Sequence, residues 1–121
     1  GASSKINFVP TANDDCFVFE NGSVSSVQNV IRDLAFYSDD TTYDKRAIVL
    51  IDVSQNLIEN VQTVYPHWSG GSNYSTFLRI QGRDTTAIRG LNVSADVPID
   101  IRPIPAPHTA AGIGIDHFHF Q

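Results

Sequence analysis

Methionine is absent from this chain, cysteine and tryptophan occur once each, and lysine and glutamate occur twice each. A single thiol, Cys16, cannot build a disulfide framework, so the fold has to rest on packing, on a metal or on assembly with other chains. Two lysines and six scattered arginines against thirteen acidic residues give a net charge of -5 and no basic stripe. That pattern argues against nucleic acid and against anionic membrane surfaces as partners. No apolar run approaches the ~18 residues of a membrane-spanning helix. The opening residues, GASSKINF, carry neither the basic start nor the apolar stretch of a secretory leader.

Straight-chain helix formers are scarce: leucine, glutamate, lysine and methionine together supply nine residues, whereas isoleucine, valine and threonine supply 31. β-Branched side chains are stiff at χ1 and pack well on a pleated surface, so the imbalance points to β-sheet. Eleven aspartates against two glutamates agree, because Asp stabilises turns through nearby backbone and Glu mainly decorates helix faces. At 121 residues the chain is read as one domain, 1–121, large enough to bury a core.

Several segments read as short strands. Ile6 to Val9 is stopped by Pro10 and the Asn13-Asp14-Asp15 cluster, and Cys16 to Glu20 ends at the Asn21-Gly22 turn signal. One stretch breaks the pattern. Ser25 and Gln28 form a capping box, and Val27, Val30, Ile31 and Leu34 follow at helical spacing, which predicts one helix over about residues 26–36. Ala47 to Val53 is apolar on both faces and reads as a central strand, with the helix covering one side. Asn60 to Tyr65 is another strand. Tyr74 to Gln81 and Thr86 to Val93 read as a hairpin around Gly82-Arg83-Asp84, with a bulge at Arg89-Gly90 required to keep both Ile88 and Leu91 inside. Pro98 marks Val97 to Arg102 as an edge strand, and Ile113 to Gln121 is the last strand. No internal repeat is apparent. The expected fold is therefore a mostly β, antiparallel sandwich or jelly roll of about eight strands with one helix.

Candidate chemistry is sparse. His117 and His119, two apart on a strand, share a face and could ligate zinc together with His67 or His108. Asp39, Asp40 and Asp44 could bind calcium, although a solvated turn is the better explanation of them. No cofactor is otherwise expected. The loop from Tyr65 to Tyr74 gathers Tyr65, His67, Trp68 and Tyr74 among small polar residues, a blend suited to stacking a sugar or to contacting another protein subunit, while the plainer reading has Trp68 plug one end of the sandwich and Gly70-Gly71 turn the chain. Ser69 lacks the first glycine of a nucleophile elbow, and Asp14 and Asp15 would suppress ionisation of Cys16. Asn21, Asn73 and Asn92 each open an Asn-x-Ser sequon.

Phe118 and Phe120 lie opposite His117 and His119 on a regular strand, so that strand would be apolar on both faces in different halves. A second subunit covering the phenylalanines accounts for this economically. The expectation is a non-enzymatic assembly subunit, such as a virion decoration or fibre module or a surface-filament protein. It would act as a homo-oligomer, trimeric or larger, or with other protein subunits, in a virion or extracellular setting. A carbohydrate-binding module and a small metal-dependent enzyme built on the histidines are the alternatives.

Overall fold

A computed structural model describes residues 4–20, 29–53, 55–64, 73–81 and 86–102, together with the backbone of 113–120. Among the described residues there are nine strands and no helix: β1 Ser4–Asn7, β2 Asp14–Glu20, β3 Asn29–Tyr37, β4 Lys45–Ile51, β5 Asn56–Thr63, β6 Thr76–Gln81, β7 Thr86–Val93, β8 Val97–Arg102 and β9 Ile113–Phe120. Odd strands form one sheet in the order β1-β3-β5-β7-β9, and even strands form a second in the order β2-β4-β6-β8. Every pairing is parallel. The chain thus alternates between sheets and returns beside its own previous pass, which defines a parallel β-solenoid.

This overturns the expected antiparallel sandwich and jelly roll, leaving only the mostly β class standing. A period of two in hydrophobicity is common to parallel and antiparallel strands. Parallel neighbours need a crossover connection, which in most folds is a helix. Here each crossover is a strand of the opposite sheet: β4 carries the chain from β3 to β5, and β5 carries it from β4 to β6. The expected hairpin is dissolved for the same reason, since β6 and β7 belong to different sheets.

Residues 29–36 of the predicted helix are strand β3, and 26–28 fall outside the described residues. The helical spacing has a physical origin. Asp33 adopts a left-handed conformation (φ 57°), as do Asn60 in β5 (φ 52°) and Gly90 in β7 (φ 66°). The registers place these three residues side by side, since Arg32 aligns with Glu59 and Arg89, and Leu34 with Val61 and Leu91. Each strand bends there and skips one residue, so its core side chains run i, i+3 across the bend: Ile31 and Leu34, Ile58 and Val61, Ile88 and Leu91. A bent strand thereby imitates a helix. No bulge forms at Arg89-Gly90, because β5 carries an equal number of residues there; Gly90 instead turns left-handed in step with Asn60, and that shared bend keeps Ile88 and Leu91 both buried.

Core formation follows from stacking identical positions. Ile31, Ile58 and Ile88 form one buried column, and Ile48, Leu78 and the partly buried Ile99 form another on the second sheet. Phe36 meets Phe17, Tyr74 and Phe77 edge to face at centroid distances of 5.8, 6.5 and 5.3 Å. Such pairs add about 0.5–1.5 kcal/mol each beyond area burial. As expected, β4 is interior to its sheet, with Ala47, Ile48, Val49 and Leu50 all buried, and β8 with Pro98 is outermost among the described strands.

Asn56 and Lys45, both buried, are held by hydrogen bonds, whereas Ser38 Oγ and Asn92 Oδ1 are buried without a partner among the described residues. Asn56 donates through Nδ2 to Val53 O (3.1 Å) and Thr86 Oγ1 (2.9 Å), and its Oδ1 accepts from Asn29 Nδ2 (2.8 Å). Asn29, Asn56 and Thr86 are register partners, so this is a ladder running along the coil axis. Lys45, 1% exposed, donates through Nζ to Asp40 O at 2.6 Å and reaches Asp40 Oδ2 at 3.4 Å.

Candidate functional site

The second sheet carries a groove of about 360 Å³ built from three successive coils. The first coil contributes Asn13, Asp14 and Asp15, the second Asp44, Lys45 and Arg46, and the third Ser75, Thr76 and Arg79. All nine are polar. Parallel register explains the convergence, because Asp15, Arg46 and Thr76 are consecutive partners across β2, β4 and β6.

Its floor is fixed by ion pairs. Arg46 forks onto Asp15, Nε to Oδ1 and Nη2 to Oδ2 (3.1 Å). Arg79 Nε donates to Asp100 Oδ2 at 3.0 Å, and Arg102 Nε shares that oxygen at 2.8 Å. Burial pushes the Asp100 carboxyl upward, but the hydrogen bonds and charges of Arg102 and Arg79 outweigh it and hold the group below its ordinary 3.8. The walls are laced by shorter links. Asn13 Oδ1 accepts from Asp44 N (3.0 Å), Ser75 Oγ donates to Lys45 O (2.7 Å) and accepts from Lys45 N (3.0 Å), and Asp14 N donates to Asp44 O (3.1 Å). Asp14 and Asp44 differ from Asp15, the third acid lining the groove: among the described residues no cation pairs with either carboxylate, although Asp14 Oδ1 accepts from Asp15 N (2.8 Å).

The residues singled out from sequence are not gathered here. Tyr74 is 2% exposed, its ring against Phe36 and Phe77 and its hydroxyl donating to Tyr37 O (3.4 Å). Its faces are therefore occupied by core rings rather than offered to a sugar. Burial first, and then Cys16, raise its phenol far above the ordinary range. Tyr65, His67, Trp68, Ser69 and His108 lie outside the described residues. For β9 the backbone register aligns His117 with the Gly90 bend, Phe118 with Leu91, His119 with Asn92 and Phe120 with Val93.

No three His, Cys, Asp or Glu side chains among the described residues are placed to share an ion. Asp40 is a turn former, its Oδ2 accepting from Thr42 N (3.2 Å) and Tyr43 N (3.0 Å), with the Lys45 ammonium already beside it. Those contacts, the Tyr43 amide foremost, lower its pKa. Cys16 packs on the core, and burial, with Asp14 second, raises its thiol pKa.

The groove and the polar ladder both escaped sequence reasoning. The ladder's signal was an unseen repeat on the first sheet: NVIRDL, NLIENV and TAIRGL, starting at residues 29, 56 and 86, align an Asn or Thr, an Ile, a charge and a left-handed residue.

Comparison of the chain with protein-family models, with curated proteins and with solved structures finds no match.

Proposed function

We propose that this chain is a non-enzymatic structural subunit, a rigid solenoid element of a virion decoration, a fibre or a surface filament, working through contacts with other subunits. The observation that carries this reading is the uniform parallel stacking of coils. Repeats in such a body touch only their neighbours, so it grows along one axis and ends in strand edges with unmet backbone groups. Sheet two offers two such edges among the described residues, β2 and β8, and both expose large apolar side chains: Val18 at 48%, Val97 and Ile101 at 43%. Monomeric proteins protect such edges, and assembly covers them.

Phe118 and Phe120, in register with the core residues Leu91 and Val93, continue the core columns onto the first sheet's outer strand, past the last strand described in the second sheet, and there a neighbouring subunit is proposed to cover them. Light scattering on the size-separated protein is the test. A stable trimer or larger species supports the reading, and a monomer at tens of micromolar contradicts it. Replacing both phenylalanines by serine dissociates the oligomer if they form the contact.

A further inference from the structure

We propose that the groove on the second sheet binds a neutral oligosaccharide, with Asp14 and Asp44 accepting hydrogen bonds from its hydroxyls and Arg46 and Thr76 completing the floor. This inference is independent of the assembly reading.

Three features of the groove select that ligand class. Its volume of about 360 Å³ lies within the range of small-molecule sites, and its three contributing strands, spaced by about 4.8 Å, extend it about 10 Å along the coil axis. That suits a di- or trisaccharide lying along the solenoid. Among the described residues no aliphatic or aromatic side chain lines it, which argues against lipids and apolar peptide anchors.

Charge narrows the choice. All three cations lining the groove already face a carboxylate, Arg46 that of Asp15, Arg79 that of Asp100 and Lys45 that of Asp40, so none is left unpaired to attract a phosphate, a sulfate or a uronate. Asp14 and Asp44 have no cationic partner among the described residues, and they repel an anionic ligand. What remains is acceptor capacity at two carboxylates, unused N–H donors on Arg46, which spends two of its five on Asp15, and the Thr76 hydroxyl. Vicinal sugar hydroxyls, each donor and acceptor at once, match that mixture.

The site is also held in shape before any ligand arrives. The bonds from Asp44 N to Asn13, from Ser75 Oγ to Lys45 O and from Asp14 N to Asp44 O tie the three coils together at the groove wall, which lowers the ordering cost of binding. These bonds use the backbone of Asp44 and leave its carboxylate for the ligand.

The test uses the whole chain in titration calorimetry with neutral gluco-, galacto- and manno-oligosaccharides of two to four units, alongside uronate and sulfated oligosaccharides of equal length. At least one neutral oligosaccharide binds saturably and its acidic counterparts do not. Asp44→Asn, which keeps shape and removes charge, and Asp14→Ala each weaken that binding about tenfold or more with unchanged melting temperature. Absence of saturable binding by every neutral oligosaccharide, preference for acidic ones, or binding indifferent to both substitutions overturns the proposal. So does binding abolished by Trp68→Ala alone, which transfers recognition to the aromatic loop. Should Asp14→Ala perturb folding, Asp44→Asn alone decides between these outcomes.

Discussion

Asn56 Nδ2 donates to Thr86 Oγ1 at 2.9 Å, linking the same position of two consecutive coils inside the solenoid. Removing the amide strands the Thr86 hydroxyl and Val53 carbonyl in a buried setting, and leaving a buried group unsatisfied costs about 1–3 kcal/mol. Asn56→Ala is therefore expected to destabilise by about 2–6 kcal/mol in urea unfolding, counting the two orphaned buried groups. Asn29→Ala, at a half-buried rung with one bond to Asn56, costs less. A loss at Asn29 equal to that at Asn56 would contradict the assignment of Asn56 as the central rung.

Gly90 tests the bend. With φ at 66° and an added Cβ facing Asn60 backbone at 3.4 Å, Gly90→Ala pays the left-handed penalty of about 1–2 kcal/mol. Gly90→Asn, which restores the residue type found at position 60, is expected to cost less than the alanine change, because Asn tolerates this conformation. The comparison of melting curves for the two variants checks it.

Phe36 sits at the meeting point of both sheets, touching Phe17, Tyr74 and Phe77. Phe36→Ala is expected to cost about 3–5 kcal/mol and Leu50→Ala about 2–5 kcal/mol. A loss below ~1 kcal/mol at either position would mean that the sheets do not pack face to face there.

Acid sensitivity follows from Asp40 and Asp100, whose folded pKa values lie below the ordinary 3.8. A carboxylate with a depressed folded pKa stabilises fully above its unfolded value, and that contribution disappears as pH falls through the folded one. Stability is thus expected to be flat on this account above about pH 5 and to fall below about pH 4. In Asp100→Asn the fall is shallower, as measured by urea midpoints across that range.

The β class was legible because β-branched excess reflects strand chemistry directly, and β4 was legible because AIVLI has no wet face to offer. Pairing direction was not. Parallel and antiparallel strands share one side-chain period, and Ile31 and Leu34 fell at helical spacing only because Asp33 turns left-handed between them. Gly90 gave its bend away, being glycine, whereas Asp33 and Asn60 hid the same bend behind side chains. The groove depended on contacts between Asp15 and Arg46, and between Arg79 and Asp100, separated by 31 and 21 residues, which no local window reveals. Tyr74 was misplaced as a surface aromatic because composition of a loop does not report which of its rings joins the core.

Parallel stacking is the claim on which the rest depends, and cross-strand nuclear Overhauser contacts of an isotope-labelled sample measure it directly. The account predicts backbone contacts joining Ile58 to the Ile88 region and Ile80 to the Ile101 region, in parallel register. Contacts joining Arg79 to Ile88 and Gln81 to Thr86, the pattern of an antiparallel hairpin, would contradict it.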